Sequence, residues 1–192
     1  MESPAEPPSK VSHKTRSVAV VIIITVAVAA VGSAYSLGLF NQSNTWPFKG
    51  AYVEYSGKAT FTSFSGTGAL SSSESIGVRL EVIDLNSTAA EYLQSSSVGG
   101  TTNKTTYWQE LNVHHLGWTF ITQNNASRYI NGNTYSVIAE EYRMGNSTSI
   151  FYYSGSTASW YVEDVLTSAV PQFSIDLILN STNIPGQLVP QH

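Results

Sequence analysis

Residues Ser127–Met144, which read SRYINGNTYSVIAEEYRM, carry the strongest signal for the fold class. They hold two β-rich runs, Ser127–Ile130 and Asn133–Met144, separated by the dipeptide Asn131-Gly132 alone. Asn and Gly tolerate positive φ, which both central residues of a type I′ turn require. The pattern therefore predicts a β-hairpin closed by a two-residue turn.

Turn signals continue along the chain on the C-terminal side of this hairpin. Gly145-Asn146-Ser147-Thr148 predicts the next turn, and Ser154-Gly155-Ser156 predicts the one after it. We therefore expect Trp118–Val162 to form an antiparallel meander of about four strands.

Period-two alternation places further strands outside this meander. Phe173, Ile175, Leu177 and Leu179 alternate with polar residues, which puts one set on a core face and the other in water. Three more strands are predicted at Tyr52–Phe64, Ile76–Leu85 and Thr105–Leu111. The predicted fold class is all-β: an antiparallel meander, half-barrel or sandwich of about eight to ten strands, preceded by one N-terminal transmembrane helix.

Two short segments are candidates for helix and two for loops. Thr88-Ala89-Ala90-Glu91 matches a capping box, which predicts a turn or two of helix over Thr88–Gln94. Val165–Val170 is ambiguous between helix and strand, and Pro171 ends it. Long soft loops are expected at Ser63–Ser75 and Ser95–Thr106, which are rich in Gly, Ser and Thr.

The N-terminal region contains an uncharged apolar run, Val18–Phe40, that follows Lys10, Lys14 and Arg16. A helix of this length is about 35 Å long, enough to cross a hydrocarbon core of about 30 Å. Because basic residues stay on the cytoplasmic side, the N-terminus is expected inside the cell and the rest outside. We expect a single-pass protein of the cell membrane.

This reading divides the chain into three parts. Residues 1–16 are predicted to be a disordered cytoplasmic tail, 17–40 a transmembrane helix or signal segment, and 41–192 an extracytoplasmic β-rich domain. A retained anchor, cleavage after Ala34 and pilin-type processing after Ser17 all remain open.

Composition excludes several classes of protein. The 192 residues hold nine Lys and Arg against thirteen Asp and Glu, a formal net charge of −4 with no basic patch, so nucleic acid is not an expected partner. The absence of cysteine excludes disulfides and thiolate metal sites. Because charge is sparse, folding should depend little on paired carboxylates and should persist in acid.

Asparagine side chains supply the candidate modification sites. Six Asn-x-Ser/Thr sequons follow the apolar run and none precedes it. Glycosylation requires exposure on the exported side of the membrane. The predicted glycosylation sites are Asn41, Asn86, Asn103, Asn125, Asn146 and Asn180.

The sequence shows no catalytic constellation, so we expect no enzyme and no cofactor. Adjacent side chains on a strand point to opposite faces. His114-His115 therefore cannot chelate one metal. For the same reason, neither Glu140-Glu141 nor Glu163-Asp164 can place both of its carboxyls in one cleft. Aromatic clusters at Tyr107-Trp108, Trp118, Phe151-Tyr152-Tyr153 and Trp160-Tyr161 are expected mainly in the core, although such rings could also line an apolar groove or stack on sugars.

The whole chain resembles the small N-terminally anchored surface glycoproteins of archaea, in the style of thermoacidophiles. The resemblance rests on the single anchor, the lack of cysteine, the sparse charge and the sequons. A second likeness lies in SIFYYSGSTASWYVED and FSIDLIL, within Ser149–Leu179, which look like the meander of LolA-like lipid-carrier half-barrels. That likeness implies an apolar ligand groove.

Three functions are compatible with these observations. The first is an anchored surface module that contacts the membrane and binds envelope glycans, lipid or other surface proteins. The second is a subunit of a surface filament, in which Tyr35–Phe48 donates a strand or the apolar helix forms a core. The third is an extracytoplasmic hydrolase that uses acids from separate strands.

Overall fold

The structure, a computed structural model, describes residues 47–65, 68–111, 118–154, 161–169 and 172–191. These residues form nine β-strands and no helix. The strands are β1 Tyr52–Ser65, β2 Gly68–Leu85, β3 Ala89–Val98, β4 Thr101–Glu110, β5 Thr119–Ile130, β6 Asn133–Met144, β7 Ser147–Tyr153, β8 Tyr161–Ala169 and β9 Gln172–Thr182.

All nine strands belong to one antiparallel sheet in the order β4-β3-β2-β1-β9-β8-β7-β6-β5. Strands β1 to β4 form one meander and β5 to β9 a second, and the pairing of β1 with β9 joins them. The predicted all-β class, antiparallel pairing and strand number are confirmed. The described residues form a single open sheet, so the two-sheet sandwich alternative is not what they adopt.

The sheet is strongly curled. If it were flat, its outermost strands would lie about 38 Å apart, at about 4.8 Å per strand spacing. Only nine residue steps separate Glu110 from Thr119, and they reach about 32 Å when fully extended. In addition, Tyr107 of β4 packs against the same buried cluster that contains Tyr161 of β8. Since a flat sheet would separate these strands by about 24 Å, β4 must approach β8 across one face.

The face enclosed by this curl, here called the inner face, carries the main core. Alternate residues of every strand from β1 to β3 and from β6 to β9 point into it, as period two requires. Its largest fully buried side chains are Tyr55, Tyr92, Tyr142, Tyr161, Phe151, Leu80, Leu166, Ile175, Leu177 and Leu179.

A smaller cluster lies on the opposite, outer face. Strand β6 pairs with β7 only over Ile138–Met144, so the end of the β5–β6 hairpin extends beyond β7. We call residues 126–137 the hairpin arm. Its Ile130 and Val137 are buried against Tyr152 and Val162. The arm therefore folds over the outer face of β7 and β8.

The predicted hairpin turn is confirmed in detail. Asn131 and Gly132 adopt φ of 48° and 86°, the two positive values that the Asn-Gly pattern requires. Gly145 and Asn146 turn the chain between β6 and β7, with Gly145 at φ 57°. The four predicted strands of the meander are β5 to β8, and the turn expected at Ser154-Gly155-Ser156 lies mostly outside the described residues.

The helix predicted over Thr88–Gln94 and both predicted loops are wrong, and the ambiguous segment that begins at Val165 is a strand. Thr88 ends a tight turn in which Asn86 Oδ1 accepts the backbone N–H groups of Thr88 (2.9 Å) and Ala89 (2.8 Å), and β3 follows at once. The segment that begins at Val165 continues β8 to Ala169. The expected loops are instead long strands, because backbone pairing extends β1 with β2 and β3 with β4 through the Ser- and Thr-rich sequence.

The predicted tail and apolar segment, residues 1–40, lie outside the described residues. Within the part of the chain that the structure describes, no helix is long and apolar enough to cross a bilayer. Residues 47–191 carry the domain described below.

Candidate functional site

The inner face contains an aromatic cluster centred on Tyr161. Its ring stacks on Tyr55 with centroids 4.9 Å apart, and it meets Phe151 at 5.0 Å and Tyr153 edge-on at 6.2 Å. The hydroxyl of Tyr55 donates to the Tyr161 carbonyl oxygen at 2.8 Å. Aromatic contacts of this kind contribute about 0.5–1.5 kcal/mol beyond area burial.

A β-bulge puts Tyr161 and Asp164 on the same face of the sheet, whereas simple alternation would put them on opposite faces. The register of β7 with β8 shifts between Tyr152 and Tyr153, so that Tyr153 lies opposite Tyr161 while Tyr152 lies opposite Glu163. Tyr161 and Asp164 consequently both point to the inner face, although they are three residues apart. Sequence reasoning missed this site because a bulge leaves no period-two signal.

Four buried polar atoms of the inner face have no hydrogen-bond partner among the described residues. They are Gln94 Oε1, Tyr107 Oη, Trp118 Nε1 and Tyr153 Oη. Burial raises the pKa of Tyr107 to about 12 and also raises the pKa of Tyr153, so both phenols remain neutral donors. An unpaired buried polar group costs about 1–3 kcal/mol, and proteins normally satisfy such groups with protein, water or ligand atoms.

Two carboxyl groups share the inner face. Ser149 Oγ donates to Asp164 Oδ1 at 2.7 Å, and Tyr142 Oη donates to Glu140 Oε2 at 3.0 Å. Burial raises the pKa of Asp164 to about 7 and also raises the pKa of Glu140. Both carboxyls lie directly opposite Phe151, one on each neighbouring strand, so that its ring position separates them. With both residues almost fully buried, they do not form an open catalytic cleft.

The inner face is poor in positive charge. The described Lys and Arg side chains either lie on outward-facing positions of the strands or, in the case of Lys49, precede β1 on the surface. An interior with aromatic rings, neutral donors, an amide oxygen and two carboxyls favours an uncharged or cationic guest over an anion.

On the outer face, Arg128 fastens the hairpin arm to β8. Its Nε donates to Glu163 at 2.6 Å, and its Nη2 donates to the other carboxylate oxygen, while the guanidinium lies 4.5 Å above the Tyr152 ring. In a flat sheet β5 and β8 would lie about 14 Å apart, so the direct contact between Arg128 and Glu163 shows that the hairpin arm is folded towards β8.

Asp176 also carries a shifted carboxyl. Desolvation and the nearby Glu163 charge raise the pKa of Asp176.

The structure separates each predicted pair of adjacent acids. Glu163 points outward to Arg128 whereas Asp164 points inward to Ser149, as alternation required. Glu140 is buried and its neighbour Glu141 faces an exposed Arg143. The described residues contain no cluster that could hold a metal ion. His114-His115 lies outside them.

Aromatic residues are divided between core and surface. Those at positions 118, 151, 152, 153 and 161 are buried, whereas Trp108 is half exposed on the outer side of β4. Trp160 lies outside the described residues.

The sequons occupy three kinds of position. Asn86 and Asn146 lie in turns and Asn103 and Asn125 in strands β4 and β5, all four exposed. Asn86 accepts three hydrogen bonds through Oδ1, including one from the Thr88 hydroxyl at 3.1 Å. Its side-chain nitrogen is therefore not used by the turn. Asn180 is half-buried in β9, and Asn41 lies outside the described residues.

Comparison with known proteins gives little. No family model matches the chain, and no curated protein matches it. Among solved structures, a domain described as an outer membrane lipoprotein-sorting protein of Vibrio parahaemolyticus is weakly similar, with a TM-score of 0.26 and 8% identity. The match covers 85% of this chain and 93% of that domain. The LolA-like likeness expected from Ser149–Leu179 is thus matched only by a weak structural similarity, which carries no functional argument.

Proposed function

We propose that this chain is a membrane-anchored extracytoplasmic binding module that holds an uncharged, hydrogen-bonding ligand on the inner face of its curled sheet. The observation that carries the proposal is a set of four buried polar atoms that have no hydrogen-bond partner among the described residues, on Gln94, Tyr107, Trp118 and Tyr153. Three are donors and one is an acceptor.

The surroundings of these atoms narrow the ligand class. Tyr92 stacks on Tyr107 with centroids 5.7 Å apart, and the Tyr161 cluster lies across the curl. Aromatic faces together with neutral donors suit a guest that has both apolar faces and hydroxyl or carbonyl groups, such as an envelope sugar or the polar end of a neutral lipid. Asp164 and Glu140 would disfavour a phosphate or carboxylate guest.

Anchoring and export are part of the same proposal. The length and polarity of Val18–Phe40 and the basic residues before it support a retained span with the domain outside the cell. The exposure of Asn86, Asn103, Asn125 and Asn146 is compatible with N-glycosylation on that side. We propose no catalytic activity, since the two inner carboxyls are sealed by neighbouring side chains.

The test is native mass spectrometry of the full-length chain released in detergent from the membrane of the cells that make it. We expect a non-protein molecule of defined mass to accompany the wild-type protein. Tyr107→Phe with Tyr153→Phe should reduce its occupancy at least tenfold, because each substitution removes one donor and leaves the ring in place.

Tyr55→Phe is the matched control, since its hydroxyl already donates to the Tyr161 carbonyl. It should leave the bound molecule in place. Wild-type protein that carries no such molecule would contradict the proposal, and so would a molecule that the double variant retains in full.

The filament alternative rests on a different observation. Strands β4 and β5 end the sheet, so within its described part their outer backbone groups have no strand neighbour. Such edges can accept a strand from another copy. N-terminal sequencing distinguishes the two: a mature chain beginning at Tyr35 or Val18 supports the filament, and an intact Val18–Phe40 supports the anchored module.

A further inference from the structure

The two outermost strands of the sheet are long and lie at the surface. Strand β4 has ten residues and β5 has twelve, and most residues of both are exposed. Neither strand has a second partner within the described residues. An open edge of this length is a template for strand addition and aggregation, and soluble β-proteins normally carry a feature that blocks it.

Each of these strands carries a sequon in its interior. Asn103 is the third residue of β4, and Asn125 is the seventh residue of β5. Both are exposed. Asn103 lies opposite the inward-facing Ser96, and Asn125 lies opposite Ile138, so both occupy positions on the inner side of the sheet. Each of the two outermost strands thus carries one exposed sequon asparagine on the same face of the sheet.

Other edge-blocking features are sparse on these two strands. Lys104 is the single Lys or Arg of β4, and neither strand contains proline. Strand β5 has a register shift between Phe120 and Thr122, near one end, which leaves the remaining pairs with β6 regular. The backbone edge around Asn125 is therefore not interrupted by the bulge.

We propose that N-linked glycans at Asn103 and Asn125 block both edges of the sheet and keep the chain from pairing edge to edge with a second copy. A strand added to an edge lies about 4.8 Å away, and its side chain directly opposite an Asn would place Cβ about 5 Å from the Asn Cβ. A hydrated glycan on that Asn occupies the same space. The sequons of Asn86 and Asn146 lie in hairpin turns, where a glycan leaves the edges open.

This inference rests on the proposed export, because the modification takes place on that side of the membrane. The experiment compares full-length chains made in their own host, solubilised in detergent and measured by glycopeptide mass spectrometry and size-exclusion chromatography. Thr105→Ala with Ser127→Ala removes both edge sequons while retaining both asparagines. Thr88→Ala with Thr148→Ala is the matched control, which removes the two turn sequons.

We expect glycans on Asn103 and Asn125 in the wild type, which should elute as one small species. The edge variant should lose them and shift to high-mass, β-rich assemblies, whereas the turn variant should elute as the wild type does. Asn103→Gln with Asn125→Gln should reproduce the shift, which separates loss of the glycan from loss of the Thr or Ser side chain.

Three results would overturn the inference. Glycans on Asn86 or Asn146 but not on the edge asparagines would refute edge protection and leave export intact. An edge variant that stays as small as the turn variant would show that the glycans do not protect the edges. Absence of glycan from every sequon would also overturn it, while ligand binding on the inner face is judged separately by the co-purified molecule.

Discussion

Replacing Asp164 by Asn should make the domain more stable at neutral pH. The carboxyl is buried on the inner face, where it accepts the Ser149 hydroxyl at 2.7 Å and has no cationic partner among the described residues. Burial raises its pKa from 3.8 to about 7. An Asn side chain has the same shape, keeps an oxygen for Ser149 and carries no charge to desolvate.

The sign follows from proton binding. Because the folded state holds the proton more tightly than the unfolded chain, this group favours folding fully below pH of about 4, and its contribution is lost as pH rises towards 7. A shift from 3.8 to about 7 corresponds to about 4 kcal/mol over that interval. Burial raises the pKa of Glu140 and Asp176 in the same direction. The domain should therefore gain stability in acid.

The assay is urea unfolding of residues 41–192 at a series of pH values. Wild type should lose stability between pH 4 and 7, and Asp164→Asn should remove about 4 kcal/mol of that loss, with the two proteins nearly equal at pH 3. Asp84→Asn is the control, because Asp84 is exposed and its pKa is lowered by the Leu85 backbone and by Lys49. A variant that is less stable than wild type at pH 8 would show that burial of the Asp164 carboxyl does not destabilise the domain.

Three further outcomes are expected. Gly57→Ala should lower the free energy of unfolding by about 3 kcal/mol or more, because an added Cβ would overlap the backbone carbonyl oxygen of Asp176. Urea unfolding measures this loss, and a near-neutral change would contradict the close approach of β1 and β9. Arg128→Met should cost about 3 kcal/mol by leaving Glu163 buried without its partner, and hydrogen exchange should rise in the hairpin arm, whereas Arg143→Met at an exposed pair should change both little. Protease added to intact cells should remove the C-terminal end of the chain, and protection of that end would exclude export.

Local signals predicted the fold where they were strongest. The Asn131-Gly132 dipeptide requires positive φ at two positions, and the structure shows them. Strand β9 alternates apolar and polar residues, and its buried residues follow that alternation. In both cases one physical constraint, turn geometry or burial on one side, acts on adjacent residues and so is visible in the sequence.

The failures occurred where tertiary contacts override local preference. Strand β3 points Gln94 and Ser96 into the protein, so its inward residues are not all apolar and the alternation is hidden. The capping-box pattern at Thr88 does not begin a helix, because Asn86 Oδ1 accepts the backbone N–H groups of Thr88 and Ala89 in a turn. The inner-face site could not be predicted, because it depends on a bulge at Tyr152 and Tyr153 and on the curl that brings β4 to β8.

The proposed function requires that a ligand bind the four inner-face atoms that have no partner within the described part of the chain. The measurement is thermal unfolding of wild type and of the double variant that carries both Tyr107→Phe and Tyr153→Phe. Each protein is compared in two preparations: isolated from its own membrane, and refolded from denaturant without small molecules. In the membrane preparation the variant should be less stable than wild type by about 1 kcal/mol for each lost donor, because only wild type retains the ligand. In the refolded preparation, removing two hydroxyls that have no partner among the described residues should stabilise the protein. Equal stabilisation of both preparations would contradict the claim.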